Sequence, residues 1–160
     1  MIRSANDLIS LESPNYQFVA ARLLLFGLRK AVYNGHPDGH PPLLEHVKKC
    51  VGIGVYDSAI LQKYTDEEWE KLNDFMDHER DFLFTYAGLR QVVDKYLVQD
   101  RSSGRVYETP QFMYLLIAAT IFSKYPKETR LDYVKKYYDA ISRHKINIPT
   151  PIMAGVRTPL

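Results

Sequence analysis

Phe112-Met113-Tyr114-Leu115-Leu116-Ile117-Ala118-Ala119-Thr120-Ile121-Phe122 is the longest apolar stretch of the chain, and its reading decides the fold class. At eleven residues it is too short for a bilayer, which needs about 20. It is also longer than an ordinary buried strand of about 4–8 residues. Thr109 and Pro110 stand directly before it, an N-cap residue followed by a proline at the first helical position, where the missing N–H costs nothing. The stretch therefore reads as a helix that is apolar on every side, and such a helix has to be covered all round. The centre of a bundle of short helices is one cover; a surface outside this chain is another.

Working outward, Pro126 opens a last long helix, with Leu131, Val134, Tyr138 and Ile141 forming one apolar stripe. Upstream, Tyr96 to Glu108 changes period to strand, turn, strand around Asp100, Arg101, Ser102, Ser103 and Gly104, a small hairpin. His78 to Lys95 reads as helix. Thr65 with Glu68 three residues on is a capping box, and Tyr64 is placed to staple to Trp69. Asp57 to Tyr64 and Leu43 to Ile53 read as shorter helices. The run from Asn34 to Pro42, rich in Gly and Pro, forces a loop, and Ser13 with Pro14 starts a long helix reaching Tyr33. The expected fold is mainly α, about six to seven helices with one small β-hairpin. The end of the chain, Ile146 to Leu160, carries three prolines and a single charge, Arg157. Solvated tails are rarely so apolar, so an extended C-terminal segment directed into a sheet or another domain is expected.

Composition excludes several classes. With 46% hydrophobic and 25% charged residues the chain matches an ordinary globular domain. Twenty-one Lys and Arg against nineteen Asp and Glu leave +2, too even for a protein that coats nucleic acid or an acidic membrane. One cysteine, Cys50, permits no internal disulfide and fits a reducing compartment. Met1 to Glu12 lacks the apolar run and cleavage site of a signal peptide. A cytoplasmic location is expected, with no nucleic-acid or membrane partner.

Few residues offer chemistry. His36, His40 and His46 surround a Pro-Gly loop with no cysteine at zinc-site spacing, so a solvated loop is favoured over a metal. Cys50 shares a helix with Lys48 and Lys49, which would activate a thiol, but a small buried hydrophobe is the commoner role. Twelve tyrosines are scattered over several helices, which suits core-edge packing better than a base-stacking surface. On the first long helix Arg22 and Arg29 lie two turns apart, about 10.5 Å, with Lys30 beside them. They read either as a phosphate-binding pair or, for Arg29 and Lys30, as cations that complement the helix dipole. Thr150 sits between Pro149 and Pro151, whose rings restrict the backbone around its hydroxyl. Gly155 could bring backbone N–H groups near an anion held there.

Several long strings carry a resemblance. Tyr16-Gln17-Phe18-Val19-Ala20-Ala21-Arg22, His78-Glu79-Arg80-Asp81, Lys95-Tyr96-Leu97-Val98-Gln99-Asp100, Tyr107-Glu108-Thr109-Pro110-Gln111-Phe112 and Pro149-Thr150-Pro151-Ile152-Met153-Ala154-Gly155-Val156-Arg157-Thr158-Pro159 resemble, in order, the N-terminal part of the class I ribonucleotide reductase large subunit. That family makes deoxyribonucleotides from ribonucleoside diphosphates by radical chemistry in a ten-stranded α/β barrel. The resemblance implies that residues 1–33 are the end of an ATP-cone regulatory domain and its connecting helix, 34–146 the helical domain, and 147–160 the start of a missing α/β barrel. It implies that the all-apolar helix and the apolar tail pack on that barrel.

It further implies that Thr150 contacts the substrate nucleotide and that Lys30 helps bind the activity-regulating ATP or dATP. No catalytic residue, metal ligand or cofactor is expected in this chain. The family's catalytic cysteines have no match, and the radical cofactor belongs to a partner small (beta) subunit. The expected partners are the remaining part of the large subunit, the radical-generating small subunit and a nucleoside diphosphate. On this view the chain is one piece of a split or truncated subunit, inactive until joined by the barrel-bearing piece. A non-catalytic helical module that docks on a reductase and alters its regulation is the alternative, and an independent ATP sensor built on Arg22, Arg29 and Lys30 is a third.

Overall fold

The computed structural model describes residues 1–159, and it is mainly helical with one hairpin. The helices are α1 (Ile2–Asp7), α2 (Tyr16–Tyr33), α3 (Leu43–Gly52), α4 (Asp66–Phe75), α5 (Tyr86–Lys95), α6 (Pro110–Phe122), α7 (Lys127–Ser142) and α8 (Thr150–Gly155). Two 3₁₀ segments, Ser58–Gln62 and His78–Leu83, connect them. Strands β1 (Gln99–Asp100) and β2 (Arg105–Val106) pair antiparallel, Gln99 opposite Val106. Asp100 closes their turn by accepting from the backbone N–H and hydroxyl of Ser102 and the hydroxyl of Ser103, and Gly104 supplies the positive φ of 71°.

The all-apolar helix α6 is the centre of the bundle. Every residue from Pro110 to Ala119 is buried. Its cover comes from this chain and not, as the resemblance implied, from a barrel. Helices α7 and α8 and the His78–Leu83 segment pack on it. The rings of Tyr33 and His46 close on Phe112, and Tyr64 donates its hydroxyl to the Ala119 carbonyl at 2.7 Å. Among the described residues the other seven helices and the two 3₁₀ segments supply enough apolar faces to surround one, so an outside surface is not required. Gln111, the one amide on this helix, is satisfied from two sides: it donates to Asp81 at 2.9 Å and accepts from Tyr138 at 2.7 Å.

Local signals place most boundaries. Thr65 accepts from the Glu68 N–H at 3.3 Å and the Glu68 carboxylate accepts from the Thr65 N–H at 2.8 Å, while Tyr64 meets Trp69 edge to face at 5.6 Å. Asn34 ends α2 in the left-handed region, φ 49°. Other boundaries moved. Pro14 and Asn15 form a turn ahead of α2, α1 carried no cap signal, and the expected helix from His78 to Lys95 is two elements. Phe84 is extended between them, and Thr85 caps α5 by accepting from Gly88 at 3.3 Å.

The C-terminal segment differs most from expectation. Thr150–Gly155 is helical, with Pro149 as N-cap and Pro151 in the first turn. Prolines there lose no intrahelical hydrogen bond, so the pattern that reads as extended also fits a helix start. The tail then folds back, because Met153 and Arg157 are buried against the bundle.

Candidate functional site

Arg157 explains why the tail folds back. The single charge of an apolar segment has a side chain with no solvent exposure, and its partner Glu108 is equally buried. The guanidinium donates through Nε to Glu108 Oε2 at 2.9 Å and through Nη2 to Glu108 Oε1. It also donates to the backbone carbonyls of Met153 at 2.6 Å and Tyr96 at 2.9 Å. Three pieces of chain therefore converge on one planar cation: α8, the C-terminal end of α5, and the residue leading into α6. Glu108 completes its own shell by accepting from the Val98 N–H at 2.8 Å and from the Tyr56 hydroxyl. Fully satisfied buried pairs of this kind specify geometry more than they add stability. Burial and the neighbouring Glu108 charge push the Tyr56 hydroxyl well above its usual range, so it stays a donor.

The clamp presents Thr150. It is exposed, and its Oγ1 lies 3.4 Å from the hydroxyl of Tyr96. Tyr96 in turn borders a cleft of about 430 Å³ lined also by Phe84, Tyr114, His144, Ile148 and Met153. Gly155, the last residue of α8, does not converge with Thr150. Its carbonyl accepts from the Thr158 hydroxyl at 3.0 Å and its φ is not positive. The sequence singles out Thr150 by its flanking prolines. Tyr96 and Arg157 were not assigned roles, although a lone charge in an apolar tail signals a buried partner.

Lys30 lies elsewhere. It is exposed on the last turn of α2, at the rim of a cleft of about 640 Å³ shared with Tyr33, His36, His40 and His78. Among the described residues no ion pair involves it. Arg29 is not free beside it: the guanidinium donates to the His78 carbonyl, reaches Asp81 at 3.3 Å and sits 5.0 Å from the Phe82 ring centre. Arg22 lies 5.5 Å from the same ring. The two arginines thus flank one aromatic ring, and Arg29 is committed to the His78 carbonyl and Asp81, so the two do not form a free pair of cations.

The remaining candidates are structural. His46 stacks on Phe112 at 3.9 Å, His40 lies tilted against His78 with ring centres 3.9 Å apart, and His36 faces Glu45 at 3.6 Å, so the three histidines engage separate partners. Burial drives His46 down to about 4 and His78 to about 3, keeping both neutral. Asp81, buried beside Gln111 and Arg29, is raised to about 6 by desolvation. Burial pushes the Cys50 thiol up to about 12, the opposite of activation. Among the described residues no group of three or more His, Cys, Asp or Glu has the arrangement to hold a metal, and no helix is long and apolar enough to cross a membrane.

The fold is an all-helical bundle with one hairpin, and the model of the ribonucleotide reductase all-alpha domain matches residues 82–160. The chain is 58% identical over 159 residues to the ribonucleoside-diphosphate reductase subunit alpha of Haemophilus influenzae. It is 52% identical to ribonucleoside-diphosphate reductase 1 subunit alpha of Escherichia coli and 45% identical to the subunit alpha of enterobacteria phage T4. Each match takes in 99% of this chain and 21% of the relative, so the chain spans about a fifth of the length of these relatives. The chain belongs to the ribonucleotide reductase large-subunit family and corresponds to part of its N-terminal portion.

Proposed function

We propose that this chain works as part of a ribonucleoside-diphosphate reductase large subunit, in which it supplies Thr150 to hold a nucleoside diphosphate while the rest of the subunit reduces the ribose. The observation that carries the reading is the position of Thr150. Its hydroxyl is exposed and backed by a helix whose Met153 carbonyl is bound to a fully buried guanidinium. A hydroxyl on so fixed a support donates to a ligand oxygen with little ordering cost. Reduction needs a radical and a source of electrons. In this reading the radical comes from a small (beta) subunit partner and the thiols from the remainder of the large subunit, since Cys50 is buried and inert. Lys30, an exposed cation at the mouth of a cleft, is the residue proposed to meet the phosphates of an ATP or dATP effector.

The test combines a large subunit that carries this chain with the small subunit and a thiol reductant, and follows conversion of a ribonucleoside diphosphate to its deoxy form. Thr150→Ala should raise KM for the diphosphate about 3- to 10-fold, the loss of one hydrogen bond. Lys30→Ala should weaken ATP binding measured by calorimetry. Absence of deoxynucleotide with the assembled subunits, or association with a reductase that alters regulation without adding turnover, overturns the proposal.

A further inference from the structure

We infer that Tyr96 is a second substrate-contacting residue, whose hydroxyl acts with that of Thr150 as one two-oxygen edge held in register by Arg157. The inference rests on the reading of Thr150 as a substrate contact. The two hydroxyls lie 3.4 Å apart and come from segments 54 positions apart in sequence, so chain neighbourhood does not explain their meeting. What brings them together is Arg157, which donates at once to the backbone carbonyls of Tyr96 and Met153. The same cation thereby sets the height of Tyr96, the residue that caps the end of α5, against that of α8. Its own position is fixed from the other side, because Glu108 takes two of its nitrogens and the Asp57 N–H donates to the Arg157 carbonyl at 2.9 Å.

The chemistry of the pair is directional. Each hydroxyl has one proton and two lone pairs. At 3.4 Å their mutual hydrogen bond is long, and Thr150 is exposed. A ligand oxygen placed across the pair can therefore accept from both hydroxyls without breaking a strong bond. The Tyr96 ring is half-buried against the core and borders the neighbouring cleft, so the phenol is held by its body while its tip stays available. A diphosphate or a ribose hydroxyl meets this requirement, and an apolar ligand does not.

Tyr96→Phe deletes the hydroxyl and keeps the ring packing, which makes it the discriminating variant. In the assembled reductase it should raise KM for the nucleoside diphosphate about 3- to 10-fold with kcat within about 2-fold, the signature of lost binding common to ground and transition states. Thr150→Val is measured in parallel, together with the double variant, whose KM should rise less than the product of the two single effects because the hydroxyls act on one ligand group. Arg157→Lys keeps the charge but cannot reach both carbonyls and Glu108 at once; it should raise KM in the same direction. If Thr150→Val raises KM and Tyr96→Phe does not, the inference falls while the proposed role of Thr150 stands. If neither moves KM, the substrate-contact reading itself falls. A Tyr96→Phe variant that lowers the melting temperature with unchanged KM assigns the hydroxyl a purely structural role and overturns the inference.

Discussion

Replacing Arg157 by Met tests the keystone of the fold. The guanidinium and the Glu108 carboxylate are both completely removed from solvent. Met matches the apolar length of the arginine stem but leaves a carboxylate whose remaining partners are the Val98 N–H and the Tyr56 hydroxyl. Removing one member of a buried ion pair costs about 3–5 kcal/mol because the other charge is left uncompensated. For a chain of this length each kcal/mol moves the melting temperature by about 2–4 °C, so a drop of about 6–20 °C is expected. Thermal melts by circular dichroism give the shift, and hydrogen exchange locates it. Amides of Thr150–Gly155 should lose protection before those of α6, since α8 is tied through the Met153 carbonyl while α6 is surrounded on all sides. Adding Glu108→Gln to Arg157→Met removes the orphan charge, and the double variant should be more stable than the sum of the single losses predicts. A shift below about 2 °C for Arg157→Met, or a protection loss spread evenly over the bundle, refutes the clamp.

Three further outcomes follow from the same geometry. Phe112→Ala removes the ring that His46 stacks on and that Tyr33 and His78 approach edge to face; urea unfolding should show a loss of about 3–5 kcal/mol, and a loss under about 1 kcal/mol contradicts the central position of α6. His46 and His78 have folded values near 4 and 3, below their unfolded value near 6.5, so both take up a proton on unfolding and their stability is lost as pH falls below about 6.5. Asp81, raised to about 6, runs the other way, since its protonated form is favoured in the fold. His144, also lowered by burial, adds to the uptake, so unfolding near pH 5 takes up at least about one proton net, a fall of at least about 1.4 kcal/mol per pH unit in unfolding free energy. A flat profile between pH 7 and 5 rejects the assignment. Cys50 should resist a thiol reagent at pH 8 in the folded chain and react at once in denaturant, because burial holds the thiol near 12; rapid labelling of the native protein counts against it.

Local chemistry was readable along the chain because it depends on neighbours a few positions away. The Thr65–Glu68 capping box, the Thr109–Pro110 start, the Asp100–Gly104 turn and the amphipathic stripe of α7 need only a short window, and each stands where its residues put it. The strings from Tyr16 to Pro159 were enough to point to the family. Partners far apart in sequence were out of reach. A helix that is apolar on every side states that it must be covered but not by what, and only the packing of α7, α8 and the His78–Leu83 segment around α6 answers that. Pro149-Thr150-Pro151 restricts the backbone equally well before an extended strand or in the first turn of a helix. The choice is made by Arg157, whose charge needs Glu108 across 49 positions and draws the tail back onto the bundle. For the same reason the sequence left Arg29 open between a phosphate contact and a dipole-complementing cation until the fold gave it Asp81 and the Phe82 ring, and only the fold sets Tyr96 beside Thr150. Hydrogen-bonding and apolar patterns are written locally; the desolvation that makes a buried charge seek a particular partner exists only once the chain has closed around it.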